Sequence, residues 1–421
     1  MSSYAAILVV ILLIMSIPVN AATSEKSALG GQKGVYSVTT FGAKGDGKTD
    51  DTAAFQKALD ACGKVGGGIV FVPTGNYLIK THIELPEAVT LEGVFKAPTA
   101  RTINKGSTLL AVEGRGKDSG NPFIFLRSDS CVKGITVLYP EQDKKNPVPY
   151  PWCIGGAGDN CSIIDVLLVN PWQAVDFGTA PCGRHLIRGL YAQPLHKGIF
   201  VDKCFDVGRI EDVHLWPFWL ANEDMQKFQT SQATAFIFGR TDWEYVSNCF
   251  AIWYKVGFQF TEFKDGPGNV ILSTSGSDIG PTAVLVENSQ GHAGIVFSNC
   301  QFMSHIEVKE TNTGPIKFSN CGYWGIPTTT THATIKGSGH VFFNECHFNG
   351  WDQAGAGEPC IFADGNGLTV SSCDFMDAGK KQIVLGPNSK ASIVMGNRFR
   401  GGAKVENTGK GKLEMGLNVE E

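Results

Sequence analysis

The stretch Val296-Phe297-Ser298-Asn299-Cys300-Gln301-Phe302 recurs as Lys317-Phe318-Ser319-Asn320-Cys321-Gly322-Tyr323. It returns as Phe342-Phe343-Asn344-Glu345-Cys346-His347-Phe348 and again as Thr369-Val370-Ser371-Ser372-Cys373-Asp374-Phe375. A fifth unit, Val394-Met395-Gly396-Asn397-Arg398-Phe399, keeps the aromatic and puts Asn where Cys stood. Counted at the Cys position, the spacings are 21, 25, 27 and 24 residues. Upstream, Tyr245-Val246-Ser247-Asn248-Cys249-Phe250 carries the same signature, and Leu190 and Val213 fill the Cys slot in two earlier units 23 residues apart. Each unit alternates with period two and breaks on Gly, Asn or Ser, which is strand-and-turn chemistry. Helical pattern is nearly absent after residue 65. Repeats of this length and chemistry are coils of an all-β parallel solenoid, whose equivalent residues stack about 4.8 Å apart.

The Cys slot and the aromatic two residues later share strand parity, and both are expected to point inward. The residue between them, such as His214, Phe250 or Gln301, then points outward. Cys249, Cys300, Cys321, Cys346 and Cys373 thus form an interior stack of small hydrophobes, the usual habit of free Cys. Adjacent coils do come within disulfide range, so the ladder leaves room for one or two bridges. The total of 12 Cys would suggest a disulfide framework in a small secreted domain, but this chain is not small. No CxxC occurs, so no metal ligands and no cofactor are expected.

The chain has 421 residues, 36 Lys plus Arg against 40 Asp plus Glu, and a formal net charge of −4. No basic excess exists to neutralise phosphates, which argues against nucleic acid as a partner. Hydrophobic residues reach 43%, too many for a disordered chain. At about 150 residues per domain the length suggests two or three domains, whereas the repeats suggest a single solenoid of about ten coils. Ala5 to Ile17 form an apolar run, followed by Pro18 and Val19-Asn20-Ala21-Ala22. That run is shorter than the roughly 20 residues a bilayer span needs. Residues 1–22 are therefore expected to be a signal peptide, 23–34 a linker, and 35–421 one β-helix domain. The mature protein is expected to be secreted or periplasmic, with no membrane association once the signal is cleaved.

Residues 35 to 75 contain Phe41-Gly42-Ala43-Lys44-Gly45-Asp46-Gly47, Thr49-Asp50-Asp51-Thr52 and Val72-Pro73-Thr74-Gly75. Asp50 or Asp51 suits an N-cap, and Ala54, Phe55, Ala58, Leu59 and Cys62 form one apolar helical stripe. A short helix here would cap the open end of the solenoid and cover its strand edges. This order of motifs resembles the start of pectate-lyase-superfamily proteins of the rhamnogalacturonase/epimerase-like type, the repeats extend the resemblance to nearly the whole mature chain, and the chain is similar to proteins related to glycoside hydrolase family 28. The resemblance implies a right-handed parallel β-helix, a pectin-lyase-like solenoid with a short N-terminal capping helix. The same opening occurs in hydrolases, lyases, uronate epimerases and phage tailspikes. The paired-Asp and Gly-His-Gly signatures of polygalacturonases are missing, Gly291-His292-Ala293-Gly294 being a partial echo. The Asp-Pro-His-Glu signature of alginate epimerases is missing too.

Six of the eight Trp fall between residues 139 and 262, amid polar residues. Exposed aromatics of this kind signal binding. Trp172, Lys197, Arg209, Trp216, Trp219, Arg240 and Trp243 are the expected substrate contacts, the cations matching an acidic polysaccharide. The unit from Val213 to Cys249 is 36 residues long, so a loop bulges near Trp216 to Gln232. Glycosidic hydrolysis needs two carboxyl groups. Asp176 and Asp202 lie on successive coils, about 5 Å apart if in register and roughly 8 Å if offset by two residues. Glu211 and Asp212, in the polar stretch from Arg209 to Leu215, are further catalytic candidates. Asp212 and His214 share an expected outward parity on one strand and could act as an acid/base pair, and Asp242 and Glu244 alternate likewise one coil later. For each carboxylate the alternative is a turn cap or an Arg partner.

Three functions compete on these residues. The first is a glycoside hydrolase acting on a plant or algal polysaccharide. The second is a polysaccharide lyase working by β-elimination on a uronate polymer, the one reading in which Ca²⁺ enters. The third is a non-catalytic carbohydrate-binding or adhesion solenoid. A monomer and a homotrimer both suit such a chain.

Overall fold

A computed structural model describes residues 34–95, 103 and 105–421. The expected signal peptide and nearly all of the linker lie outside the described residues. The chain winds into a parallel β-helix walled by a 28-strand sheet and a 13-strand sheet. Each coil gives the large sheet two short strands around a corner, then crosses to the small sheet. Ile316–Ser319, Gly322–Trp324 and Ala333–Ile335 are one such set.

The corner explains the Ser-Asn-Cys signature. Asn320 has φ 52°, and Asp165, Asp212, Asn248, Thr274, Asn299, Glu345 and Ser372 occupy the same corner at positive φ. A Cβ clashes with the carbonyl in that region, and Asn and Asp tolerate it best among L-residues. Their side chains also link successive coils. Asn320 Nδ2 donates to Asn299 Oδ1 at 2.7 Å, and Asn248 Nδ2 donates to Asp212 Oδ1 at 3.1 Å.

The next residue then faces the interior. Cys249, Cys300, Cys321, Cys346 and Cys373 are all buried, as are Phe302, Tyr323, Phe348 and Phe375, whereas Gln301 is exposed. All 12 cysteines are free thiols. The aromatic slot forms a continuous stack, with Tyr323–Phe348 at 4.7 Å, Phe348–Phe375 at 4.9 Å and Phe375–Phe399 at 5.0 Å between ring centroids. Offset stacking of this kind adds to the burial of each ring.

Helix α1, Thr52–Lys64, buries the expected stripe of Ala54, Phe55, Ala58, Leu59 and Cys62. The two aspartates before it have different partners, and the Asp51 side chain makes no bond to the helix. Asp50 Oδ1 accepts from the Thr52 N–H at 3.1 Å, while Asp51 accepts from the N–H groups of Lys44 and Gly45 at 2.7 and 3.1 Å, pinning the glycine-rich loop. Gln56 closes the first edge of the small sheet. Its side chain donates to the Glu84 carbonyl and accepts from the Glu84 N–H, both at 3.0 Å, as a neighbouring strand would. Unpaired edge groups are thereby satisfied.

The expected loop near Trp216 to Gln232 carries a second helix, α2, Glu223–Gln232, against the expectation of almost no helix beyond residue 65. Asn222 caps it, accepting from the Met225 N–H at 2.9 Å, and Glu223 and Asp224 lie in its first turn. Acidic residues there are favoured by the helix dipole. Among the described residues no helix is long and apolar enough to cross a membrane.

Candidate functional site

The outer face of the small sheet is built from residues in register. Phe125, Gly155, Asp176, Phe200, Ile237 and Gln259 succeed one another along it. Asp176 faces Phe200, so Asp202 lies two residues past the register position. With coils about 4.8 Å apart and a rise of about 3.3 Å per residue, their Cα atoms are roughly 8 Å apart. The offset arrangement, not the in-register one, is the observed one.

Both carboxylates are nearly buried, with residues 6% and 4% exposed. Asp176 Oδ1 accepts from the N–H groups of Gly178 and Thr179 at 3.0 and 2.8 Å. Asp202 Oδ1 accepts from the Arg240 N–H at 2.7 Å. Two glycines make this approach feasible. A Cβ on Gly178 would lie 2.6 Å from the Phe200 ring, and one on Gly239 would lie 2.5 Å from Asp202 Oδ1.

Aromatic rings cross the same face. Trp152 stacks on Phe200 at 6.1 Å, and Phe200 meets Phe263 edge-on at 5.4 Å, with Phe263 58% exposed. Cations flank the row. Lys197 Nζ stands 5.9 Å over the Trp152 ring. Lys203 donates to the carbonyls of Gly178 and Thr179 at 3.1 and 2.9 Å and lies 3.9 Å from Asp202 Oδ2. Arg240 pairs with Asp242 at 2.8 Å and covers Phe205 at 4.8 Å. The face therefore combines two carboxylates, an apolar strip and three cations. Such a surface can stack a sugar ring, pair with an anionic group and present carboxyl groups to a glycosidic bond.

The other expected residues do not join this face. Asp212 sits on the corner at φ 54°, between Cys204–Glu211 and His214–Leu215. The corner ends the strand, so Asp212 and His214 do not share one and form no acid/base pair. Glu211 stands beside Arg188 and Ser247. Arg209 is exposed on that wall, as is Trp243, which tilts against Tyr245 at 6.4 Å. Glu244 does not point outward. It is wholly buried inside the solenoid, its Oε1 3.0 Å from His185 Nε2. Asp242 and Glu244 therefore do not act side by side.

His214 faces outward among aromatics, with Tyr191, Trp216, Phe218 and Phe250 between 5.4 and 6.2 Å from its ring. Burial pushes its pKa down, and its Nε2 has no protein partner. Trp216 stacks on Trp253 at 6.0 Å, and the Trp219 N–H donates to Gln193 Oε1 at 2.6 Å. Trp172 is half-buried, stacked on His196 at 4.7 Å and touched by Phe228 of α2 at 5.8 Å. The expected contacts thus spread over several walls in place of a single groove. Phe200, Phe263 and Lys203 escaped the sequence reading. Phe200 carried a signal, being the outward aromatic between inward Ile199 and Val201.

Residues 35–123 match the family model described as rhamnogalacturonase A/epimerase, pectate lyase-like. Alginate lyase 7 of Azotobacter vinelandii is 61% identical over 44 residues, which are 10% of this chain and 5% of that protein. The match thus spans a small part of that relative. The mannuronan C-5 epimerase AlgE6 A-module of the same organism superposes with a TM-score of 0.57 at 14% identity, covering 92% of this chain and 99% of that one. The N-terminal fragment of bacteriophage phi29 gene product 12 gives 0.62 at 15% identity, covering 92% and 70%. At such identities the likeness is one of fold. Matched to that family model over its first coils and superposed on these solenoids along most of its length, the chain is a parallel β-helix.

Proposed function

We propose that this chain is a carbohydrate-active enzyme that binds an acidic polysaccharide across the small sheet and hydrolyses it with Asp176 and Asp202. The observation that carries this reading is the convergence of Trp152, Phe200 and Phe263 with Lys197, Lys203 and Arg240 around the two carboxylates. The aromatic rings offer flat apolar surface to sugar rings. The cations stand where a uronate carboxylate would be neutralised. One carboxyl group protonates the leaving oxygen while the other activates water or attacks. Incubation with acidic polysaccharides should release reducing ends, and Asp176→Asn and Asp202→Asn should each abolish the release. Binding retained with no product from any glycan would leave a binding solenoid.

A second reading, proton abstraction from a uronate, draws on the relatives' names. Over the first coils the chain resembles an alginate lyase and mannuronan C5-epimerases. The ultraviolet absorbance of an unsaturated uronate product, or a changed uronate composition without cleavage, would favour it over hydrolysis.

A further inference from the structure

A separate cluster lies inside the solenoid, on the opposite side of the wall from solvent. His185, Cys204 and Glu244 come from three successive coils, and one ligand atom from each lies within 4.8 Å of the others. His185 and Glu244 side chains are 0% exposed, and Cys204 is buried. Their sequence separations of 19 and 40 residues fit no spacing motif, which is why the sequence suggested no metal.

Three features bear on what the cluster holds. His185 Nδ1 lies 3.0 Å from the Cys182 carbonyl. A ring nitrogen there must donate, which turns the Nε2 lone pair of the neutral imidazole toward Glu244. Glu244 Oε1 stands 3.0 Å from that Nε2, so two acceptors face one another unless a proton or cation lies between them. Glu244 Oε2 has no hydrogen-bond partner although wholly buried. A buried carboxylate oxygen left so is strongly unfavourable unless a cation or donor meets it. Finally, a Cβ at Gly208 would lie 2.1 Å from Glu244 Oε2 and 2.5 Å from His185 Cε1. The glycine keeps this space open.

We propose that His185 Nε2, Cys204 Sγ and Glu244 form a buried binding site for a borderline divalent cation of the zinc type. An imidazole, a thiolate and a carboxylate are ligands such an ion takes at about 2.0–2.3 Å. Tetrahedral bonds of that length set ligand atoms roughly 3.5 Å apart, so small side-chain shifts suffice. Charge balances as well, since one thiolate and one carboxylate neutralise a divalent ion and leave no net charge in the core. On binding, the S–H bond of Cys204 gives way to an S–metal bond, and both its proton and the one held between His185 Nε2 and Glu244 Oε1 pass to solvent. The Cys204 Sγ hydrogen bond to the Asp206 carbonyl, 3.0 Å, is given up in the same step. Because the site is sealed, the ion enters as the coils form, and it ties three of them together.

The test refolds the full chain from denaturant with Zn²⁺, and separately with Co²⁺, then dialyses and measures bound metal. The expected result is one tightly held zinc per chain and a cobalt adduct with a thiolate-to-metal charge-transfer band. Cys204→Ser should remove that band and Glu244→Gln should lower metal retention at least tenfold, while Cys300→Ser leaves both unchanged. A refolded chain holding no more metal than Cys204→Ser overturns the proposal and leaves a proton shared by His185 and Glu244. If Cys204→Ser does not refold, the cobalt spectrum of the unmodified chain decides, and a spectrum without a thiolate band overturns it.

Discussion

Asp176 stands in register with Phe200, one coil before and two residues short of Asp202. The Phe200 ring is thus framed by the two carboxylates, while Gly178 leaves the space in which it lies. Both oxygens held by backbone N–H groups are Oδ1, and an amide side chain in the same place can accept those bonds through its carbonyl.

Asp176→Asn and Asp202→Asn are therefore expected to fold normally yet lose activity. The thermal midpoint should move by a few degrees at most, while the rate of reducing-end release should fall by about 10²-fold or more. Equal loss of activity and of melting temperature would assign the two carboxylates to turns alone.

Phe200→Ala removes both ring contacts, to Trp152 and to Phe263. Affinity for an acidic oligosaccharide should drop by about 1 kcal/mol, roughly fivefold in Kd. Titration calorimetry at rising salt provides a second readout. Binding of a polyuronate should weaken as the Lys197, Lys203 and Arg240 charges are screened, and binding of a neutral glycan should not.

Glu345 holds the corner at φ 54° without the side chain best suited to it. Replacing it with Asn or Gly should raise stability by about 0.5–1 kcal/mol. Asn320→Ala should cost about 1–2 kcal/mol, combining left-handed strain with loss of the bond to Asn299. Thermal midpoints of the two variants should move in opposite directions.

Acid should weaken the fold through its buried histidines. Burial holds the His332 pKa down to about 4 from 6.5. Its Nε2 lies 2.9 Å from the Asn349 carbonyl while Nδ1 has no partner, so a second proton has nothing to bond. The unfolded chain takes up that proton near pH 6.5 and the folded chain only near pH 4. Stability is thus complete above the first value and declines between the two, by about 3 kcal/mol at this residue. His305, His214 and His340 are shifted by burial in the same direction. A melting curve against pH should flatten over this window in His332→Gln.

The solenoid was legible because its coils repeat one grammar. Asn turns the corner, Cys and an aromatic fill the interior, and the residue between them faces out, as Asn299, Cys300, Phe302 and Gln301 each do. The site was only half legible. Asp176, Asp202, Lys197 and Arg240 stood among the residues expected from the sequence, whereas their neighbours Phe200 and Phe263 did not. Period-two counting cannot follow a strand across a left-handed corner, and this misplaced Asp212 relative to His214. Nor does it reveal which wall a residue lines or when a glycine opposite leaves room inside. Glu244 turned inward for that second reason, since Gly208 stands beside it in register.

The left-handed corner also sets what kinds of change the chain can absorb. Corner residues bond to the coils on either side, as Asn320 does with the side chain of Asn299 and, through its N–H, with the carbonyl of Asn344. Excising one complete turn would bring two equivalent corners together, and the column would close over the gap. Inserting a single residue within a strand would instead put every following side chain on the wrong face until the next corner restored the phase. Length in this molecule is therefore counted in whole turns, and its corners are the graduations.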